Sequence, residues 1–158
     1  MAKKIVGRKS DRKHVFCLVF ARDFCTENVV SDDLDYYLEY FAKDLNEGVS
    51  EMDFILGEIQ GVYANLDTID AHIAETSATW DISRISKIDL AIMRLAVYEI
   101  LYDPKIPDGT SINEAVELAK TFSSEDGSKF VNGVLGKIVR KLKENESGGV
   151  DADENKGL

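Results

Sequence analysis

The sequence predicts an all-α protein. Apolar residues recur at helical spacing in each long segment, and Ser-x-x-acid patterns stand where such segments would begin. Only two prolines, Pro104 and Pro107, interrupt the 158 residues. No segment alternates apolar and polar residues as a half-buried strand would, and no motif repeats at a fixed period.

Residues 1–9 read as a flexible basic arm. Ser10 is placed to cap a first helix, DRKHVFCLVFARDFCTE, in which Phe16, Val19, Phe20 and Phe24 recur at helical spacing. The second helix, DDLDYYLEYFAKDLN, carries Leu34, Leu38, Phe41 and Leu45 on one stripe, with Gly48 past its end. Ser50 opens the third, with Asp53 in the acidic position of a capping box. One seam then runs through Ile55, Ile59, Val62, Leu66, Ile69 and Ile73. Gly57 and Gly61 share a face of that helix. A glycine inside a helix costs ~1 kcal/mol relative to Ala, so a closely approaching neighbour is the expected compensation.

SATWDISR reads as a connector, with Trp80 directed into the core. Ser86 and Asp89 open the next helix, KIDLAIMRLAVYEILYD, which Pro104 and Pro107 end. Ser111 and Glu114 form a capping box for INEAVELAKTF, and SSEDG breaks that helix. The last is SKFVNGVLGKIVRKLK, with Val131, Val134, Leu135, Ile138 and Leu142 facing inward. Residues 144–158 lack aromatics and mix glycine with acids, so a disordered acidic tail is expected there.

A chain of this length suits one domain. No segment holds the ~20 apolar residues of a membrane span. The basic start has no apolar stretch behind it, so a secretory signal is not expected. Cys17 and Cys25 lie eight residues apart on one predicted helix, ~12 Å along its axis. A disulfide needs Cα atoms within ~7 Å, so both read as buried thiols of a cytoplasmic protein.

The net charge of −10 argues against nucleic acid, but its distribution does not. Residues 1–13 carry Lys3, Lys4, Arg8, Lys9, Arg12 and Lys13 against Asp11 alone, a local +5, and the remainder sums to −15. Lys137, Arg140, Lys141 and Lys143 form a second basic cluster. Screening over ~8 Å lets a local patch attract phosphate despite the global sign. The plainer reading of such runs is a solvated face.

Nothing in the sequence marks an active site. There is no Gly-rich phosphate loop after a strand, no nucleophile elbow, no zinc-protease helix and no paired C-x-x-C. His14 and His72 have no ligand-spaced neighbours. The expectation is a non-enzymatic chain with no cofactor and no metal. Two features exceed background. RKSDRK stands at a helix start, where cations oppose the macrodipole at ~0.3–1 kcal/mol each, so a phosphate partner would explain it. SEDGSKFVNGV places Lys129 beside Phe130, an aromatic that could stack an unpaired base. The competing reading of Phe130 is that it belongs to the core.

IDLAIMRLAVYEILYD, INEAVELAKTF and EDGSKFVNGVLGKI resemble, in order and spacing, the signature stretches of the NusB family of transcription antitermination factors. The likeness is dense from about Trp80 to Ile138 and looser upstream, where GVYANLDTID is similar to the family's third helix. It spans roughly residues 7–143. The resemblance implies an all-α fold of about seven helices in two small bundles. It places a helical domain over 10–143, with subdomains of about 10–79 and 80–143. It also implies binding of the boxA element of nascent ribosomal RNA together with NusE, a small-subunit ribosomal protein, inside an RNA polymerase antitermination complex that supports ribosomal RNA synthesis. Carried over by position, Arg8, Lys9, Arg12, Asp126, Lys129 and Phe130 would touch RNA, and Phe20 and Asp89 would face NusE. Arg94, Glu99, Asn113 and Asn132 also match signature positions, and they read as a structural polar network. Ser10 and Asp11 interrupt the basic start, and the acidic tail is an extension that could compete with RNA. Two other readings stand beside this one: a protein-interaction module or homodimer without intrinsic RNA specificity, and the NusB-like domain that precedes some RNA methyltransferases. No Gly-rich cofactor region follows here to favour the second.

Overall fold

A computed structural model describes residues 2–23, 52–77 and 81–156, with side chains for 11–23, 54–77 and 81–147. The helices are α1 (Ala2–Arg22), α2 (Met52–Ala64), α3 (Leu66–Ser77), α4 (Lys87–Tyr102), α5 (Asp108–Phe122) and α6 (Glu125–Lys156), with a 3₁₀ turn at Ile82–Arg84. No strand occurs among the described residues. The expected second helix, the Ser50 cap, Cys25 and Trp80 lie outside them.

The architecture is set by α4. Ser86 caps it, its hydroxyl accepting from the Asp89 amide at 3.1 Å. From Asp89 to Val97 every residue is buried, and Glu99 with them. A helix apolar on nearly all sides must be surrounded, and α4 touches each of the other five helices. Val15 and Val19 of α1, Ile55, Ile59 and Val62 of α2, and Ile69 and Ile73 of α3 are all fully or almost fully buried. Val131, Leu135 and Ile138 of α6 join the same core.

The polar contacts fix how these helices sit. Arg94 of α4 grips Asp70 of α3 with Nε and Nη2, each at 2.9 Å, and reaches Asp23 beyond the end of α1 at 3.3 Å. Lys87 closes the other side of Asp23 at 2.9 Å. Burial opposes the charge on Asp23, but Lys87 and Arg94 outweigh it and hold that carboxyl below its ordinary range.

Several boundaries differ from expectation, each for a local reason. The seam predicted as one helix is two. The chain turns at Asn65, whose side-chain amide donates to the Gly61 carbonyl at 2.8 Å. Leu66 therefore starts α3 and is only half-buried. Gly61 is a point of close approach, because a Cβ there would collide with the Tyr98 ring, whereas a Cβ at Gly57 would meet nothing. The Ser111 capping box is not formed. Helix α5 begins at Asp108 behind Pro107, which fits the fixed φ of proline at a helix start, and the Ser111 hydroxyl instead donates to Glu99 at 3.0 Å. Residues 2–9 continue α1 rather than forming an arm, and α6 runs on to Lys156 through the stretch expected to be disordered. Extending a formed helix adds one hydrogen bond per residue fixed and avoids the nucleation cost, and neither extension contains proline.

Ile59→Ala should cost about 2–5 kcal/mol, as large-to-small core changes do, and Leu66→Ala clearly less, both read from urea midpoints. Equal losses would mean that the turn at Asn65 does not shift the seam. Asp23 should also make stability acid-sensitive. Its folded pKa lies below the ordinary 3.8, so its contribution is complete above that value and is lost as the pH falls through the lowered one. In urea titrations at successive acidic pH values, Asp23→Asn should lose less stability than wild type across that interval.

Candidate nucleic-acid interface

The residues expected to touch RNA fall in the first half of α1 and in the opening turns of α6. Arg8 and Lys9 lie on α1, one turn before Arg12. Asp126, Lys129 and Phe130 lie in the opening turns of α6. The two places adjoin through Phe122, the last residue of α5. The Lys13 ammonium stands 5.9 Å from the Phe122 ring centroid, and the Phe16 ring lies 5.1 Å from it.

Arg12 does not share the exposure that an RNA contact needs. It is 8% exposed, and its Nε donates to Glu99 Oε1 at 2.9 Å. Glu99 Oε2 accepts from Ser111, so one buried carboxylate ties α1, α4 and α5 together. Burial pushes the Glu99 carboxyl up, against the opposing pull of Arg12 and Ser111. In the sequence Arg12 stands in the same basic run as Arg8, Lys9 and Lys13, and a run of cations does not tell a buried one from an exposed one. Only the acid on the opposite helix, 87 residues away, decides it.

The start of α6 is sharply built. Ser124 Oγ accepts from the Gly127 amide at 2.9 Å, and Ser128 Oγ donates to the Glu125 carbonyl at 2.8 Å. Asp126 and Lys129 are exposed, and Lys129 pairs only loosely with Glu125 at 3.8 Å. Acids in a first helical turn complement the macrodipole, so Glu125 and Asp126 have a structural reason to be there. Phe130 is half-buried and packs against the core, which joins the two readings its sequence position left open.

Phe20 is half-buried, 6.3 Å from Phe16 between ring centroids, at the edge of the cluster that includes Phe122. Asp89 differs from its expected place on a partner-facing surface. It is 7% exposed and turned toward α6, with Oδ1 3.0 Å from where a Cβ on Gly127 would sit. That oxygen has no hydrogen-bond partner, and Gly127 leaves the space it occupies.

Of the four residues read as a polar network, Arg94 and Glu99 are buried and multiply bonded, but Asn113 and Asn132 are exposed. They line an open groove of about 500 Å³ between α5 and α6, together with Lys120 and Lys129. The sequence did hold a signal for this. Asn113 and Lys120 are seven apart, off the stripe of Ser111, Ala115 and Ala119 that faces the core. Among the described residues no group of three or more His, Cys, Asp or Glu is arranged to hold a metal ion, and no helix is long and apolar enough to cross a membrane.

The NusB family model matches residues 9–140. Over 152 residues the chain is 38% identical to the transcription antitermination protein NusB of Acetivibrio thermocellus, covering 94% of this chain and 99% of that one. It is also 38% identical to the NusB of Clostridium acetobutylicum over 141 residues, 88% of this chain and 99% of its relative. The solved T. maritima NusB shares 32% identity with a TM-score of 0.74, over 84% of this chain and 90% of that one. A solved complex of antitermination factors NusB and NusE with double-stranded RNA is similar in fold, with a TM-score of 0.73 and 23% identity over 85% and 97% of the two chains.

Arg12→Ala should destabilise the protein by about 3–5 kcal/mol, because it strands a buried carboxylate. Adding Glu99→Gln should recover part of that loss in the same denaturation series. A change for Arg12→Ala within about 0.5 kcal/mol of wild type, the range of an ordinary surface substitution, would return Arg12 to the surface.

Proposed function

This chain belongs to the NusB family of transcription antitermination proteins, and on that premise we propose that it binds the boxA element of nascent ribosomal RNA together with NusE. It does so as a non-enzymatic part of an RNA polymerase antitermination complex that supports ribosomal RNA transcription. One observation carries the RNA reading. Lys13 of α1 stands beside the ring of Phe122, which ends α5 three residues before α6 opens, so Lys13 lies near the helix that carries Lys129, and Arg8 and Lys9 precede it on α1. Phosphates would lie along these cations, and Phe130 would offer the exposed part of its ring to a base. Asp126 would accept from a base edge or ribose hydroxyl. Arg12 contributes by holding α1 in place rather than by touching RNA.

NusE would dock beside Phe20, where the aromatic cluster reaches the surface. The fold neighbour solved with NusE and double-stranded RNA supports such an assembly. A protein-only module, including a homodimer, is the second reading. It gains from the withdrawal of Arg12 into the core, which leaves fewer cations outside.

Binding of labelled single-stranded boxA RNA, with and without NusE, tests this by fluorescence anisotropy across a salt series. NusE should tighten binding, since a second partner adds contacts to the same RNA. Lys129→Ala should flatten the log–log salt slope by ~0.7, as expected for one lost single-strand phosphate contact. Phe130→Ala should cost ~1–3 kcal/mol of affinity with little change of slope, below its melting temperature, which will also fall. Wild-type RNA affinity at every salt for both Lys9→Ala and Lys129→Ala would leave the protein-only reading in its place.

A further inference from the structure

The groove between α5 and α6 is lined by a chemically selective set of residues. From α5 it takes Asn113, Val116 and Lys120, which follow one another at helical spacing along one stripe. From α6 it takes Lys129 and Asn132, three residues apart, with Ser128 and the carboxylate of Glu125 beside them. Ile112 and Val116 are half-buried and form an apolar floor. The two asparagines are exposed from opposite sides, and a Cβ on Gly109 at the rim would meet nothing. At about 500 Å³ the groove falls within the ~300–1,000 Å³ of small-molecule clefts, although it is open on one side.

We propose that this groove is a nucleotide-binding subsite for single-stranded RNA, in which the Asn113 and Asn132 amides read the edge of one unpaired base lying on Ile112 and Val116, while Lys120 and Lys129 hold the adjoining phosphates. The inference rests on the RNA-binding reading above and adds a place where sequence is read. Each asparagine carries two donors and an acceptor on the side-chain carbonyl, so a pair of them matches the mixed donor and acceptor edge of a nucleobase. Unstacked bases are read along such edges, and a flat apolar floor suits a base face better than it suits water. Charge points the same way. Lys120 and Lys129 make only long, exposed pairs with Glu117 and Glu125, at 3.5 and 3.8 Å, and such pairs open at little cost when phosphate arrives. Lys129 also borders the face formed by α1 and α6, so the strand can pass from that face into the groove without a gap.

The test uses the full-length protein with NusE, boxA RNA and a set of boxA RNAs each changed at one base. Asn113, Lys120 and Asn132 are exposed, so alanine should leave the melting temperature near that of wild type. Asn113→Ala and Asn132→Ala should each weaken boxA binding about tenfold, on the scale of one lost base-edge contact, and should erase discrimination at one and the same base. Their salt slopes should match wild type, while Lys120→Ala should flatten the slope and leave discrimination intact. Unchanged discrimination in both asparagine variants, with Lys129→Ala still impaired, would overturn the subsite and spare the wider RNA reading. Loss of NusE affinity with wild-type RNA affinity would make the groove a protein contact and overturn the proposal. An absence of RNA binding by the wild-type complex would remove both readings together.

Discussion

Glu99 sits on the central helix with both carboxylate oxygens engaged, Oε1 by Arg12 of α1 and Oε2 by Ser111 of α5. It is 1% exposed, so neither bond is exchangeable with water at small cost. The consequence is geometric. A buried charge must be met by partners in one arrangement, whereas an apolar contact tolerates sliding. The node therefore fixes the rotation of α1 and the start of α5 relative to α4. Helix α5 leads through Ser123 and Ser124 into α6, so the opening turns of α6 inherit their position from the same carboxylate.

A second polar clamp works at the other end of α4's reach. Arg94 holds Asp70 and Asp23, and Lys87 holds Asp23 from the first turn of α4. Between the two clamps the core is almost wholly aliphatic, with Ile55, Ile69, Ile73, Ile92, Met93 and Leu135 fully buried. Aliphatic packing supplies most of the stability of such a core, and the ionic nodes specify which packing is adopted. Asp89 belongs to neither clamp. Its carboxylate lies against the first turn of α6 with Oδ1 lacking a hydrogen bond, where the positive end of the helix dipole is the available compensation.

Much of this was legible in the residues. The apolar spacing located the described helices, although it ran α2 and α3 together as one, and Ser86 was correctly placed as the cap of α4 because its signal is local. The seam through Ile55, Ile59, Val62, Ile69 and Ile73 is buried as its period implied. Two kinds of feature escaped. Helix limits depend on small differences between extension and termination, so a plausible cap at Ser10 or Ser111 does not oblige a helix to begin there. Side-chain destinations depend on partners far away in sequence. Arg12 and Lys13 look alike as neighbours, yet Glu99 draws the first inside while the second stays half-buried beside Phe122. Likewise Asn113 and Arg94 match the same signature, but only the arginine has acids across from it. Membership of the family carried the functional reading, and the geometry redistributed its residues.

The burial of Arg12 sharpens the question of how a chain of net charge −10 would attract RNA, because it removes one cation from an already small patch. The continuation of α6 bears on the answer. As a flexible tail, residues 144–158 could fold back and compete with phosphate for Lys129. As a helix rising ~1.5 Å per residue, the segment from residue 144 onward is carried ~22 Å or more along the axis from Lys129. That is more than two screening lengths of ~8 Å, so most of its negative charge goes unfelt at the start of the helix. The opening turns then respond mainly to the charges around them: the acids Glu125 and Asp126, which satisfy the dipole, and the lysines of α1, α5 and α6. A helical course for residues 144–156 thus has the same effect as a smaller net charge would, keeping repulsion away from the opening turns of α6.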